Sequence, residues 1–246
     1  MADYAVLSPD LFADVACVVI CVGIAEGKPE ALQRLNVETP CSIARAAKAA
    51  GVPRLIHISS FSVYGLASEI GRDTPVSPRG NYGCSKLDGD RRLLSLADAG
   101  FEVTILRLPL IYSPGSLGKL GQLLKAWRSV RLLPVPRDDV TRAMIAVDLA
   151  AETIERLTQM PAPGAPKSVV FAADPMPFSY AGVASARPER LYRFPLPRTL
   201  TRLMMQLAPA LGARLFADSR LADADNLAVE FGLATRLRQD VAEARP

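Results

Sequence analysis

The segment DVACVVICVG, residues 14–23, is almost continuously apolar and rich in β-branched residues. Such a run suits a parallel strand covered on both faces, because a half-exposed strand would alternate. TPCSIARAAKAAG (39–51) reads as a helix closed by Gly51. RLIHIS (54–59) is the next strand, followed by a long loop rich in Ser, Pro and Gly. NYGCSKLDGDRRLLSLADAG (81–100) reads as a second helix ending at a glycine, and EVTILRLPLIY (102–112) as a further buried strand. Strand and helix thus alternate through the first 112 residues. That alternation predicts an α/β protein with a doubly wound parallel sheet.

The pattern changes after residue 113. Prolines become frequent, at Pro134, Pro136, Pro161, Pro163, Pro166, Pro175 and Pro177. Helices are expected at 119–128, 148–159 and 198–212, and short strands at 130–135 and 168–172. The expected organisation is a sheet domain over 1–113 and a smaller mixed α/β lobe over 114–246, with helix 148–159 returning to the sheet domain.

Composition narrows the class. Half the residues are hydrophobic and 22% are charged, which is the balance of a globular chain. The net charge of +4 comes from dispersed Lys and Arg, so a nucleic-acid partner is not expected. The apolar run from Val15 to Ala25 is shorter than the ~20 residues a bilayer span requires. Asp3, Asp10 and Asp14 precede it, the opposite of the charge a signal peptide carries. Cys17, Cys21, Cys41 and Cys84, with a single histidine in the chain, form no metal-ligand spacing. They read as four buried or partly buried free thiols in a reducing cytoplasm.

The candidate chemistry lies in Ser60, Tyr82 and Lys86. Tyr82 and Lys86 are four residues apart in a predicted helix and share one face. Ser60 follows a parallel strand, at the end of the sheet where open α/β folds bind ligands. A phenol of pKa ~10 is a poor base at neutral pH, and a neighbouring ammonium stabilises its phenolate. The tyrosine can then exchange a proton with a hydroxyl or carbonyl while the serine holds the same oxygen.

A glycine loop competes for attention. Gly115, Gly118 and Gly121 form G-x-x-G-x-x-G between an apolar run and an amphipathic one, with Asp138 near the spacing of a ribose-binding acid. A working dinucleotide loop follows the first strand, so that its helix N-terminus meets the pyrophosphate. This one comes after the Tyr-Lys helix, and Pro114 turns the chain just before it. It reads as a loop at the junction with the second lobe.

The order of motifs resembles the extended short-chain dehydrogenase/reductases, in their nucleotide-sugar epimerase and dehydratase group. The stretches that carry the resemblance are LNVETPCSIARAAKAAGVPRLIHISSFSVYG, NYGCSKLDGDRRL, LRLPLIYSPGSLG, TRAMIAVDLAAETIERL and DADNLAVEFGLA, and the resemblance covers essentially residues 13–236. The resemblance implies a Rossmann-like sheet and a catalytic Ser60, Tyr82 and Lys86. It implies NAD or NADP as cofactor and a nucleotide-diphosphate sugar as substrate, and it leaves room for a homodimer. Lys86 would also hold the nicotinamide ribose, and Asn36 would order the active-site helix. Val22 and Gly23 would pass the cofactor at a strand end, Leu108 and Pro109 would lie near the nicotinamide, and Arg142 would contact the substrate diphosphate, a task an Arg fork suits.

Three departures refine this. Phe61 and Ser62 stand where the dehydratases carry Asp-Glu, which disfavours water elimination. Leu110 stands where many epimerases carry Asn, and Ser113 replaces the first Gly of Gly-Pro-Gly. That pattern looks most like 4-epimerases and 4-ketoreductases of surface-polysaccharide synthesis. Finally, no G-x-x-G-x-x-G loop precedes Val15, where the family carries its cofactor loop. The sheet domain therefore reads as N-terminally truncated, and a non-catalytic remnant or binding module stands as the alternative.

Overall fold

The computed structural model describes residues 7–113, 132–136, 140–160, 167–179, 182, 192–207 and 218–235. The apolar run at 14–23 condenses into a short strand, β1 (Val18–Ile20). The helical layer that follows starts earlier than its periodicity predicts. It opens at Pro29, whose fixed φ suits a first turn, as α1 (Pro29–Gln33). It runs through a π-helical turn (Arg34–Glu38) into α2 (Thr39–Ala49). β2 (Arg54–Ser60) matches the expected strand and ends in a 3₁₀ turn (Phe61–Tyr64). β3 (Glu69–Ile70) lies within the Ser/Pro/Gly loop.

α3 (Gly80–Leu94) is shorter than the expected helix, because the chain turns after Ser95 and Asp98 bridges back to Phe101. The long strand expected at 102–112 is two strands, β4 (Glu102–Leu108) and β5 (Leu110–Tyr112). Pro109 separates them, since a proline cannot donate to a ladder. The remaining strands are β6 (Leu132–Pro136), β7 (Thr141–Arg142), β8 (Met144–Ala146), β9 (Lys167–Phe171), β10 (Phe178–Ser179), β11 (Tyr192–Leu196) and β12 (Arg220–Leu221). The later helices are α4 (Val147–Gln159), α5 (Arg198–Leu207) and α6 (Leu227–Glu230). The helix expected at 119–128, the glycines at 115, 118 and 121, Asp138 and the end of the helix expected at 198–212 lie outside the described residues.

The chain divides into two compact units. The first gathers the described residues of Met1–Gly65, Arg72–Leu108 and Ile154–Phe171. Its sheet is fully parallel in the order β1-β2-β4-β9. The register pairs Val18 with Leu55 and Ser60 with Leu108. Every residue of β4 is buried, as in a strand covered on both faces, the polar Glu102, Thr104 and Arg107 included. Ile20, Cys41, Ala44, Leu55, Leu93, Phe101, Val103 and Ile105 form one packed cluster. Each large aliphatic side chain there contributes about 1.5–3 kcal/mol by leaving water. This is a Rossmann-like α/β sheet.

The second unit gathers the described residues of Leu66–Gly71, Pro109–Thr153 and Ala172–Pro246. It is built on strand pairs: β5 with β8, β6 with β11 and β3 with β12 are parallel, while β7 with β10 is antiparallel. Asn226 caps α6 and exchanges two hydrogen bonds with the backbone of Ala173, at 3.0 and 3.1 Å, which closes this part of the chain. No helix among the described residues is long and apolar enough to cross a membrane. The thiols differ from the expectation of general burial: Cys41 is buried and Cys17 half-buried, but Cys21 and Cys84 are exposed.

Candidate active site

Four of the expected residues lie along one edge of the first unit's sheet. Val22 and Gly23 follow the carboxyl end of β1, Ser60 closes β2 and Leu108 closes β4 opposite it. A parallel sheet directs all carboxyl ends to one side, which is why strand-end positions far apart in sequence share that edge. The Ser60 hydroxyl caps the following 3₁₀ turn by accepting from the Ser62 N–H at 3.2 Å.

α3 presents Tyr82, Lys86 and Asp90 at successive four-residue steps, on one face. Tyr82 is half-buried, whereas Lys86 and Asp90 are 4% and 0% exposed. Lys86 Nζ donates to the Ile58 carbonyl at 2.8 Å, two residues before Ser60. It also lies 3.0 Å from Nε2 of His57. Burial pulls the Lys86 ammonium down from the ordinary 10.5 to about 8, with Asp90 pulling the other way. Burial, and then the charge of Lys86, hold His57 well below the usual histidine range, so its ring is neutral.

Two glycines bring α3 close to its neighbours. A Cβ at Gly83 would meet the Ser62 carbonyl oxygen at 2.6 Å, and one at Gly89 would meet the Asn36 carbonyl oxygen at 2.4 Å. A glycine inside a helix costs about 1 kcal/mol relative to alanine, so its presence calls for a packing reason. Here the reason is contact with the backbone after Ser60 on one side and with the π turn on the other.

Asn36 sits in that π turn and is fully buried. Its amide makes both hydrogen bonds to the backbone of Ile24, at 2.8 and 2.9 Å, and donates to Ser85 Oγ at 2.9 Å. Ser85 in turn donates to the Tyr82 carbonyl at 2.9 Å. The strand-end loop after β1 is therefore tied to α3 through one side chain. A Cβ at Gly23 would lie 2.9 Å from Asn36 Oδ1, so the loop backbone stays bare beside it.

Behind α3 lies a buried polar cluster that the sequence pattern did not single out. Arg107 of β4 reaches Asp90 at 3.1 Å and donates to the Tyr64 hydroxyl at 2.6 Å, its guanidinium 5.1 Å from the Tyr64 ring centre. Burial raises the Asp90 carboxyl, against the pull of Arg107. Tyr64 packs with Phe61 and Phe171 at ring separations of 6.2 to 6.4 Å. Phe61, at the position of the dehydratase acid pair, is thus an anchor of an aromatic cluster. The readable signals were Asp90 one turn beyond Lys86, the lone histidine on β2, and the two glycines inside a helix.

Pro109 is buried, just past the end of β4. Arg142 belongs to the second unit, half-buried on β7 opposite Phe178. The structure thus brings Lys86 to the β2 backbone just ahead of Ser60, and ties Asn36 to α3.

A family model described as the NAD dependent epimerase/dehydratase family matches residues 4–166. Among curated relatives, a UDP-glucose 4-epimerase of Vibrio cholerae is 28% identical over 158 residues, covering 61% of this chain and 47% of that protein. A methionine adenosyltransferase 2 subunit beta of Pongo abelii is 33% identical over 100 residues, covering 40% of this chain and 28% of that protein. The matched stretches thus span less than half the length of these relatives. Among solved structures, a UDP-glucuronic acid 4-epimerase from Bacillus cereus in complex with NAD shares the fold at a TM-score of 0.73 and 17% identity, over 99% of this chain and 76% of that one. MoeE5 in complex with UDP-glucose and NAD does so at 0.69 and 22% identity, over 99% and 82%.

Proposed function

The chain belongs to the NAD dependent epimerase/dehydratase family, and from that membership we propose an enzyme that uses NAD or NADP to act on a nucleotide-diphosphate sugar. The reaction is 4-epimerisation or 4-keto reduction, serving surface-polysaccharide synthesis in the cytoplasm. The observation that carries the reading is Lys86, donating to the β2 backbone just ahead of Ser60, one helical turn from Tyr82.

The residues at the sheet's carboxyl edge fit a dinucleotide. Gly23 offers bare, exposed backbone that a Cβ would crowd, and Asn36 pins the adjoining loop. Val22, Gly23, Asn36, Lys86, Leu108 and Pro109 would hold the cofactor, which when bound supplies the acceptor and donor of hydride. Tyr82 takes the proton from the sugar hydroxyl, with the Lys86 ammonium one helical turn away. Ser60 Oγ donates to the same sugar oxygen. Arg142 pairs with the diphosphate. Phe61, packed among aromatic rings, supplies no acid for elimination, which supports epimerase or reductase over dehydratase.

The test uses the purified chain with NAD or NADP and UDP-glucose or UDP-glucuronic acid, following cofactor absorbance and sugar configuration by NMR. Turnover is expected, and Tyr82→Phe is expected to lose about 10²- to 10⁴-fold in kcat while still binding cofactor. Undiminished turnover by that variant would sink the assignment.

A further inference from the structure

The single histidine of the chain lies in β2, with apolar neighbours in the sheet. The register places Ile20 of β1 on one side of His57 and Ile105 of β4 on the other. The ring is fully buried, and its Nδ1 has no hydrogen-bond partner among the described residues. Its other nitrogen, Nε2, lies 3.0 Å from Lys86 Nζ. The two ring nitrogens thus differ sharply: Nε2 has an amine within hydrogen-bond reach, and Nδ1 has no partner among the described residues.

That asymmetry links the two protonation states. While Lys86 is an ammonium it must donate, so Nε2 carries the lone pair and the ring proton sits on Nδ1. A buried N–H without an acceptor is among the costlier arrangements in a fold. Once Lys86 is a neutral amine it has a lone pair to offer. The ring proton can then sit on Nε2 and donate to the lysine, leaving only an unfilled acceptor at Nδ1.

We propose that His57 is a positioning residue for Lys86, and that the two titrate as one unit in which loss of the lysine proton moves the histidine proton from Nδ1 to Nε2. The balance is simple. The Nζ–H and Nδ1–H bonds break, one Nε2–H bond forms, and one proton leaves to water. The ring stays neutral throughout, in keeping with its depressed basicity.

Other groups face the pair. From α3, Tyr82 lies one turn before Lys86 and Asp90 one turn after. From β4, Arg107 is held by Asp90, and from the 3₁₀ turn Tyr64 is held by Arg107. The π turn directs the neutral Asn36 amide at α3. The Asp90 charge favours the ammonium, so the transition is placed by burial working against that carboxylate. The consequence rests on the proposed reaction: the same transition removes the ammonium charge one helical turn from Tyr82, and so sets the alkaline limit of catalysis.

Because the chain has one histidine, a histidine-labelled sample shows one pair of ring ¹⁵N signals. Long-range ¹H–¹⁵N spectra across neutral to alkaline pH are expected to begin with Nδ1 pyrrole-like and Nε2 pyridine-like. The two then exchange character with rising pH. The ¹³Cε shift of Lys86 should move at the same midpoint, which is read from the unaltered protein. Lys86→Met should abolish the exchange. Ring signals that never change, midpoints that differ, or an exchange that persists in Lys86→Met would each overturn the pairing. The spectra do not depend on turnover. An exchange in an inactive protein upholds the pair and removes the proposed reaction, whereas turnover without exchange overturns the pair alone.

Discussion

Arg107 and Asp90 are an ion pair 3.1 Å apart with the carboxylate fully buried. They join β4 to α3 behind Lys86, and the guanidinium extends on to Tyr64. Three of the quoted motifs, SVYG, the Tyr-Lys helix and LRLP, therefore meet in one cluster. Arg107 holds α3 through Asp90 and the 3₁₀ turn after Ser60 through Tyr64.

Removing one partner should be costly. Asp90→Ala leaves a buried guanidinium without its carboxylate and is expected to lose about 3–5 kcal/mol of stability in urea unfolding. Asp90→Asn keeps an acceptor for Arg107 and should lose less. Replacing both partners with apolar residues of similar volume should restore much of the loss. A loss below about 1 kcal/mol for the alanine variant would mean that water reaches the pair.

Helix glycines usually gain from substitution, and here the sign should reverse. Gly89→Ala places a methyl 2.4 Å from the Asn36 carbonyl oxygen, and that backbone atom cannot swing away. The expected effect is a loss of about 1–3 kcal/mol, against a gain of about 1 kcal/mol at an open helical site. Gly100→Ala, whose methyl would have 3.7 Å to its neighbour, is the control and should change stability by under about 0.5 kcal/mol. Stabilisation by Gly89→Ala would show that α3 stands further from the π turn.

Stability should rise with pH on account of Lys86. Its folded value of about 8 lies below the ordinary 10.5, so the unfolded chain binds more protons between those values. The burial cost of the ammonium is carried in full below pH 8, and it is relieved progressively up to 10.5. The whole span amounts to about 3 kcal/mol. Lys86→Met should remove this component and unfold at higher temperature than the wild type at pH 7. Equal pH slopes for the two proteins, measured by thermal unfolding, would contradict it.

Local pattern sufficed for much of the fold. The strands read at 54–59 and from residue 102 onward both lie in the parallel sheet. The four-residue spacing of Tyr82 and Lys86 places them on one helix face whatever surrounds them. Boundaries were less legible. The helix start at Pro29 and the break at Pro109 each turn on one residue, which a window of hydrophobicity averages away.

What chain order could not reveal were the partners of the buried polar groups. His57 and Lys86, Asn36 and Ser85, and Asp90 and Arg107 are separated by 29, 49 and 17 residues respectively. Hydrophobic periodicity states which side chains leave water, but a buried donor or acceptor is decided by distances of a few tenths of an ångström. Those distances arise only when α3 closes on its neighbours through Gly83 and Gly89. The four-residue spacing of Tyr82, Lys86 and Asp90 was therefore readable along the chain, while the protonation of Lys86 became a physical quantity only once the fold had taken water from it and placed the neutral ring of His57 at its side.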